Sequence, residues 1–347
     1  NIEFLTGKTE TKMKKLIQEN LINGKTNFLI GTHALFQKNI SFKNLGLIII
    51  DEQHRFGVQQ RNEIRSKGYN PHLLAMTATP IPRTLALTVY GDLDVSVLHE
   101  LPGERKPVKT SFIPVDRRDD AYSFIKRELA AGRQAFIVFP LIDESDALNA
   151  RAAKDEFSRL SRDVFVGQGE SVGLLHGRMS AAEKETSMRE FRDGKTKVLV
   201  STAVVEVGID VPNATVVLIE GAERFGLAQL HQLRGRVGRA HHRSYCLLMS
   251  QTTDTSENAR LRTLQTVSDG FMLAERDLEL RGPGDVIGTR QSGELGFRFA
   301  KVTDIETIQK ARIDAETLVR TDPDLLLPEH TTLARDVDGL LDRNEWS

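Results

Sequence analysis

Residues 47–54 read Leu-Ile-Ile-Ile-Asp-Glu-Gln-His, and this stretch decides the fold class. Leu47–Ile50 is a continuous apolar run of strand length, as expected of a parallel strand covered on both faces. Asp51 and Glu52 follow at once, at the end of the strand where open α/β sheets bind ligands. A carboxylate there can hold Mg²⁺ through water, and its neighbour can orient or deprotonate an attacking water. The alternative is an acidic helix N-terminus favoured by the helix dipole, and His54 counts against it.

Similar apolar runs alternate with helical periodicity along most of the chain. The predicted strands are residues 27–30, 47–50, 72–76, 109–114, 134–139, 172–175, 197–201, 215–219 and 245–249. Predicted helices cover residues 9–23, 118–131 and 258–280, the last with a hinge at Gly270. Strands that alternate with helices predict an α/β fold with parallel sheets. A coarse duplication of two such domains is possible, although no sequence identity between them is apparent.

Composition narrows the class of protein. The chain has 347 residues, a net charge of −1, 39% hydrophobic residues and one cysteine, which excludes an internal disulfide. No apolar run approaches the ~20 residues of a membrane helix. Polar stretches at residues 101–107 and 251–257 divide the chain into predicted domains 1–108, 109–253 and 254–347. The acidic tail after Thr321 is either a solvated end or a partner site.

Two further loops follow predicted strands. Thr77 and Thr79 flank one alanine, and their hydroxyls can hydrogen-bond back to the acidic loop or onward to a neighbouring domain. The alternative is an ordinary turn in which Thr79 caps a helix. The segment from Thr202 to Asp210 ends in a small residue, Gly208, and a carboxylate. Its alternative is a plain strand–loop–helix connection.

Residues 232–239 read Gln-Leu-Arg-Gly-Arg-Val-Gly-Arg. On a helix, Gln232, Arg236 and Arg239 would share one face, and two guanidinium groups beside glycines suit a polyphosphate. The alternative is a solvated basic helix face. Each interior glycine costs a helix about 1 kcal/mol, so a plain solvated helix would not need two of them.

Together these blocks resemble the superfamily 2 helicases and translocases. Residues 51–54 look like motif II, residues 77–79 like motif III, residues 202–210 like motif V and residues 232–239 like motif VI. Residues 31–33 (Gly-Thr-His) look like motif Ib, and His176-Gly177 matches a second-domain loop. The resemblance implies ATP and Mg²⁺ as cofactors. It also implies two RecA-like parallel-sheet domains followed by a helical hairpin and translocation element.

The resemblance also implies a role for each matched residue. Asp51 would bind Mg²⁺, Glu52 would activate water, and Arg236 and Arg239 would be arginine fingers. The remaining implied roles are nucleotide binding (His54, Gly208, Asp210, Gln232), DNA contact (Thr32, His33, His176, Thr202) and coupling or translocation (Thr77, Thr79, Arg281, Arg290, Gln291).

Residues 275–293 read ERDLELRGPGDVIGTRQSG and are similar to the translocation block shared by the RecG and Mfd families. Gln53, residues 101–108 and residues 289–291 favour the RecG family. That family implies an ATP-driven double-stranded DNA translocase that remodels stalled replication forks and Holliday junctions in recombination and repair. The implied partners are double-stranded and branched DNA, with single-strand-binding protein as a further candidate. A bacterial cytoplasmic, nucleoid-associated monomer without membrane contact is expected.

The chain departs from the family in one respect. No G-x-x-x-x-G-K-[ST] phosphate loop occurs in it. We therefore expect the carboxy-terminal part of a longer enzyme, with a first domain that lacks a central strand and little ATP binding or hydrolysis on its own. Two alternatives stay open: an Mfd-type transcription-repair coupling translocase, and a non-catalytic DNA-binding remnant. Binding alone needs neither Asp51 and Glu52 nor Arg236 and Arg239, which counts against the remnant.

Overall fold

The computed structural model of the chain describes residues 1–37, 39–53, 58–78, 93–98, 106–140, 146–165, 172–202, 211–238, 242–252, 255–267, 269–281 and 305–341. The chain divides into two compact units, Asn1–Thr79 and Pro80–Ser347. Every strand pairing described in either unit is parallel. The predicted α/β class with parallel sheets is therefore confirmed.

The first unit contains β1 (Ile2–Leu5), α1 (Thr11–Ile22), β2 (Phe28–Gly31), β3 (Leu47–Ile50), α2 (Val58–Arg65) and β4 (His72–Ala75). Strand β1 pairs with β2, and β3 pairs with β4, in two separate two-stranded sheets. Sequence reasoning missed β1, because its four residues include a charged glutamate. Helix α1 ends where predicted, since Gly24 adopts the left-handed conformation with φ +70°.

Alternate residues of these four strands face two different environments. Leu5 packs with Ile17 and Leu21 of α1, while Ile48 and Ile50 pack with Ile64 of α2. Apolar side chains that are exposed to solvent alternate with them: Ile2, Phe4, Phe28, Ile30, Leu47, Ile49 and Leu74. Parallel sheets are normally covered on both faces, so one apolar face of each small sheet is uncovered in this chain.

The second unit is built on a six-stranded parallel sheet with the order β5-β10-β9-β6-β8-β7. Its strands are β5 (Lys109–Pro114), β6 (Gln134–Phe139), β7 (Val172–Leu175), β8 (Val198–Thr202), β9 (Ala214–Ile219) and β10 (Tyr245–Ser250). The α-helices described in it up to β10 are α3 (Arg118–Ala130), α4 (Asp146–Arg159), α5 (Ala181–Arg192) and α6 (Leu227–Arg234). The central strands are buried on both faces, which explains their continuous apolar sequences.

Among the described residues, four more α-helices follow β10: α7 (Thr255–Thr266), α8 (Gly270–Arg281), α9 (Ile305–Thr321) and α10 (Thr331–Leu341). The predicted hinge at Gly270 is confirmed, because Asp269 starts a new helix by accepting the amides of Phe271 at 2.7 Å and Met272 at 3.1 Å. Two buried arginines form hydrogen bonds between the segment containing α7 and the segment of residues 223–234, which ends with α6. Arg234 donates to the carbonyls of Leu264 and Val267, and Arg260 donates to those of Glu223 and Phe225.

A strand–helix–strand segment is repeated in the two units with a constant numbering difference of 170. Ile2–Leu5, Thr11–Ile22 and the register Ile2↔Phe28 have exact counterparts in Val172–Leu175, Ala181–Arg192 and Val172↔Val198. The left-handed Gly24 corresponds to the left-handed Gly194. Identical residues at equivalent positions are Leu5/Leu175, Gly7/Gly177, Lys14/Lys184, Gly24/Gly194, Lys25/Lys195, Thr26/Thr196, Leu29/Leu199 and Thr32/Thr202. These scattered matches emerge only when the strand registers are aligned, which is why no identity is apparent from the sequence alone.

Candidate functional site

The acidic loop begins directly after β3. Asp51 is exposed and its Oδ1 accepts the backbone N–H of Glu52 at 2.8 Å. Glu52 has φ +51°, a left-handed conformation that is rare for a residue with a side chain. Strained backbone of this kind is common at functional sites, and here it turns two successive carboxylates at the end of one strand.

The predicted motif II and motif III loops lie side by side. Strands β3 and β4 pair in register up to Ile50↔Ala75. Beyond the strands, the N–H of Gln53 donates to the Met76 carbonyl at 3.0 Å, and the N–H of Met76 donates to the Ile50 carbonyl at 2.8 Å. Thr77 is therefore held next to the acidic loop. This arrangement is expected if the loop that bears Thr77 changes its contacts when the carboxylates of Asp51 and Glu52 bind a ligand.

The carboxylate of Asp51 has the chemistry that Mg²⁺ requires. Its second oxygen, Oδ2, has no partner among the described residues, and the side chain is open to solvent. Magnesium is usually held by one or two carboxylates together with substrate phosphates and water. Asp51 thus fits a magnesium–nucleotide complex. The described residues contain no group of three or more His, Cys, Asp or Glu side chains that could bind a metal ion by themselves.

The arginine segment differs from its prediction. Helix α6 ends at Arg234, with Gly235 as its C-cap, and Gly238 has φ +81°. Arg236 therefore lies in the turn after the helix, and it does not share a helical face with Gln232. Gly238 leaves no space for a side chain, because an added Cβ would lie 2.6 Å from Val108 Cγ2. Gly238 is needed for this turn, which is why a continuous helix was the wrong expectation.

Two of the predicted DNA-contact residues meet at one edge of the second unit's sheet. His176 follows β7 and Thr202 ends β8, and the register Leu175↔Ser201 makes them neighbours. Both side chains are buried, and neither His176 Nδ1 nor Thr202 Oγ1 has a hydrogen-bond partner among the described residues. Burial, followed by the positive charge of Lys154, lowers the pKa of His176. A neutral imidazole and a hydroxyl are thus left at this edge.

The equivalent edge of the first unit carries Thr32 and His33. Thr32 directly follows β2, is exposed, and its N–H donates to the Leu5 carbonyl at 3.3 Å. Gly31 allows this close approach, since a Cβ would lie 2.1 Å from the Leu5 carbonyl oxygen. The repeat makes Thr32 the counterpart of Thr202, so both predicted phosphate contacts occupy the same place in their sheets.

The remaining predicted site residues lie outside the part of the chain that can be described. These are His54, Thr79, Gly208, Asp210, Arg239, Arg290 and Gln291. Arg281 is the last residue of α8, and its side chain is likewise outside the description.

Sequence reasoning missed a buried polar network at the carboxyl end of β9. The carboxylate of Glu220 accepts hydrogen bonds from Arg118 Nη2 at 3.0 Å and from the Tyr122 hydroxyl at 2.9 Å. Arg159 Nη2 donates to the same Tyr122 oxygen at 2.9 Å. Burial, with the negative charge of Glu220, raises the pKa of Tyr122 to about 12. The residues are far apart in sequence, so no spacing revealed them.

No helix in the described ranges has the length and apolar character needed to cross a membrane.

Three family models match the chain. A DEAD/DEAH box helicase model matches residues 1–88, a helicase conserved C-terminal domain model matches residues 120–241, and a model of ATP-dependent DNA helicase RecG, domain 3, C-terminal, matches residues 267–347.

Curated relatives carry the same description. The ATP-dependent DNA helicase RecG of Synechocystis sp. is 52% identical over 325 residues, which cover 93% of this chain and 39% of that protein. The protein of the same name from Bacillus subtilis is 47% identical over 350 residues, covering 100% of this chain and 51% of that protein. The chain thus spans about half or less of the length of these relatives.

Solved structures support the fold. A structure of RecG bound to a three-way DNA junction matches with a TM-score of 0.68 and 45% identity, over 90% of this chain and 39% of that one. The helicase Lhr of Mycobacterium smegmatis, bound to ssDNA and AMP-PNP, matches with a TM-score of 0.56 and 18% identity, over 77% of this chain and 37% of that one. The second likeness shows the shared fold alone.

Proposed function

We propose, from the premise that this chain belongs to the RecG family of superfamily 2 helicases, that it forms most of the motor of an ATP-driven double-stranded DNA translocase. The proposed substrates are branched DNAs such as stalled replication forks and Holliday junctions. The observation that carries the proposal is the Asp51–Glu52 turn at the end of β3, hydrogen-bonded to the loop that bears Thr77.

The nucleotide side of the motor rests on the two carboxylates. Bound Mg²⁺ would neutralise charge on the nucleotide phosphates, and Asp51 is the residue that would hold it. Glu52 would orient and deprotonate the attacking water. Gln232 and Arg236, from the second unit, would add a polar side chain and a guanidinium to the phosphates. Arg239, Gly208, Asp210 and His54 belong to the same proposal by resemblance.

The DNA side of the motor rests on the carboxyl edges of the two repeated segments. Thr32 with His33, and His176 with Thr202, would contact backbone phosphates, one pair in each unit. Phosphate contacts position a protein on nucleic acid without reading sequence, as a translocase requires. Thr77, Thr79, Arg281, Arg290 and Gln291 would couple nucleotide hydrolysis to movement along the duplex.

The proposed setting is a bacterial cytoplasm, where the enzyme would act as a monomer associated with the nucleoid. Single-strand-binding protein is the further partner that the family resemblance implies. An Mfd-type transcription-repair coupling translocase is the alternative. The match of residues 267–347 to RecG domain 3 favours the first proposal.

The test is DNA-stimulated ATP turnover in a longer polypeptide that joins this chain to a complete first motor domain. Replacing Glu52 with glutamine should lower turnover at least ~10²-fold, because a general base contributes 10²–10⁴-fold, while nucleotide binding persists. Glu63→Gln is the matched control, since Glu63 is an exposed acid in the same unit. Full turnover in Glu52→Gln would contradict the assignment, and normal turnover by the 347-residue chain alone would contradict the expected need for a phosphate loop.

A further inference from the structure

The backbone that follows β2 lies between two apolar clusters of the first unit. It forms the 3₁₀ helix His33–Phe36, which Thr32 directly precedes. Ala34 is buried in the cluster that includes residues of α1, whereas Phe36 packs against the cluster that includes Ile64 of α2. The segment that carries two of the proposed DNA contacts therefore depends for its position on both clusters.

Backbone hydrogen bonds connect this 3₁₀ helix to the residues that follow it. The Leu35 N–H donates to the Thr32 carbonyl at 3.0 Å, and the N–H of Gln37, the C-cap, donates to the Ala34 carbonyl at 3.4 Å. The Gln37 carbonyl in turn accepts the Ile40 N–H at 3.1 Å. Because Ile40 is only 2% exposed, this series of bonds ends in the apolar core, and a shift of Gln37 would be transmitted back to Thr32.

A lysine from a distant part of the sequence binds the end of this series. Lys67 Nζ donates to the Gln37 carbonyl at 2.6 Å and to the Ile40 carbonyl at 2.9 Å. Burial lowers the pKa of Lys67, and the negative charge of Glu63 opposes this effect. An ammonium group that is withdrawn from water is costly unless other acceptors replace the water. The two carbonyl groups supply such acceptors, so the side chain and the backbone that it binds stabilise each other.

The backbone that carries Lys67 is itself held by close packing. The Lys67 N–H donates to the Ile64 carbonyl at 3.2 Å, directly after α2. The next residue, Gly68, lies so close to Leu45 that an added Cβ would be 2.9 Å from the Leu45 carbonyl oxygen. Lys67 therefore extends from a well-anchored position, and its ammonium group determines where Gln37 and Ile40 lie.

The other end of the hydrogen-bonded series faces solvent. Thr32 and His33 are exposed, and the Thr32 hydroxyl does not cap the 3₁₀ helix that it precedes. We propose that Lys67 is a positioning residue for DNA binding. By holding the end of the series, it places Thr32 and His33 where their side chains can contact backbone phosphates, while Lys67 itself binds only the protein backbone. This inference rests on the proposed function, which includes the phosphate contacts of Thr32 and His33.

The experiment measures equilibrium binding of the 347-residue chain to a fluorescently labelled duplex and to a three-way junction over a range of salt concentrations. Lys67→Met retains the apolar stem of the side chain and removes its donor. Binding should weaken about tenfold, the loss expected when a hydrogen bond from a charged donor is removed. Lys15→Met, the matched control, removes the same charge from an exposed position on α1 and should bind DNA as the wild type does.

Two further measurements separate positioning from direct contact. A lysine that itself neutralised a phosphate would, when removed, reduce the slope of log K against log salt by about 0.9. The slope should stay unchanged in Lys67→Met, because the bonds that it loses are to carbonyl groups of the protein. In a chain that already carries Thr32→Ala and His33→Ala, adding Lys67→Met should change the affinity by less than about twofold, since residues that act as one unit are not additive.

Each outcome has a defined meaning. Unchanged affinity in a folded Lys67→Met chain, or a slope reduced by about 0.9, would overturn the positioning role. A further loss of about tenfold in the chain without Thr32 and His33 would do the same, because Lys67 would then act independently of them. Absence of binding by the wild-type chain would contradict the proposed function, and this inference with it.

A second variant covers the case in which Lys67→Met lowers the unfolding midpoint. Lys67→Arg retains a cationic donor and should bind within about threefold of wild type. A folded Lys67→Arg chain that binds no better than Lys67→Met would also overturn the inference.

Discussion

The Tyr122 hydroxyl lies between an acceptor and a donor, and its ionisation is therefore tied to folding. It donates to Glu220 at 2.9 Å and accepts from Arg159 at 2.9 Å. Arg118 contributes a second donor to Glu220, whose side chain is only 3% exposed. A buried carboxylate is costly unless its oxygens are hydrogen-bonded, so the hydrogen bonds from Tyr122 and Arg118 offset the cost of burying the Glu220 side chain.

Replacing Tyr122 with phenylalanine should lower the free energy of unfolding by about 1–2 kcal/mol, because Glu220 loses one of its two donors. The alkaline limb of stability should change too. The pKa of Tyr122 is raised from 10.0 to about 12 in the folded protein, so its contribution is complete below pH 10 and is lost as the pH rises through 12. Denaturant unfolding between pH 8 and 12 measures both effects. An identical alkaline decline in Tyr122→Phe would show that this hydroxyl is not its source.

At the scale of single residues, the sequence could predict chemistry but not local backbone. Asp51 and Glu52 were expected at a strand end and lie there. The shared face of Gln232 and Arg236 was not found, because Gly235 and Gly238 end α6 and reverse the chain. The hydrogen bonds from Lys14 Nζ to the Gly7 carbonyl at 3.4 Å and from Lys184 Nζ to the Gly177 carbonyl at 2.6 Å could not be foreseen either. They depend on the loop shape, and the spacing of seven residues has meaning only once that shape is known.

At the scale of elements, the two repeated helices differ in how they begin. Ser180 caps α5, because its Oγ accepts the Glu183 N–H at 3.2 Å. The Glu183 carboxylate in turn accepts the Ser180 N–H at 2.7 Å. Glu10, at the same position before α1, makes no side-chain cap hydrogen bond. The repeat places Met13, which is exposed, where α5 has Glu183. Helix α1 therefore starts without a side-chain cap.

The double substitution Glu10→Ser with Met13→Glu should transfer the capping box to α1 and stabilise the first unit by about 1 kcal/mol. Removing the box from α5 with Ser180→Ala should cost a similar amount in the second unit. Thermal unfolding, with amide exchange to assign each change to its helix, measures both. If Ser180→Ala lowers stability and the double variant leaves it unchanged, the N-termini of α1 and α5 are less alike than the strand registers indicate.

The C-terminal helix α10 is an element that the composition of the acidic tail did not reveal. The last residues carry modest helical signal, yet α10 forms after a turn organised by Asp322. Its carboxylate accepts the amides of Leu326 at 2.9 Å and Leu327 at 3.0 Å, and it is 2.7 Å from His330 Nδ1. The hydrogen bond with His330, followed by that from Leu327, lowers the pKa of Asp322. The acidic tail after Thr321 therefore contains at least one carboxylate, that of Asp322, with a structural role.

At the scale of the whole molecule, the repeated segment allows strands of the first unit to be compared with their counterparts in the second. Strand β8 lies between β6 and β7, and its residues are buried throughout. Within the described part of the chain, its counterpart β2 pairs only with β1. Phe28, Ile30 and Thr32 are exposed where Val198, Val200 and Thr202 are buried. Among the described residues of the first unit, β2 therefore has no neighbour equivalent to β6. The strand sequences predicted parallel sheets in both units. They could not predict which sheet faces are covered, because an apolar strand has the same sequence pattern whether or not a neighbouring strand is present.

Replacement by serine at these two equivalent positions should therefore have unequal consequences in this chain. Val200 is 0% exposed, so Val200→Ser should lower the free energy of unfolding by about 3 kcal/mol through a cavity and a buried hydroxyl. Ile30 is 52% exposed, so Ile30→Ser should change it by less than about 0.5 kcal/mol and should reduce binding of a hydrophobic dye. In a longer polypeptide that completes the first sheet, Ile30→Ser should become as costly as Val200→Ser. Denaturant unfolding of both variants in both polypeptides measures this, and equal costs in the short chain would mean that the face of β2 is already covered there.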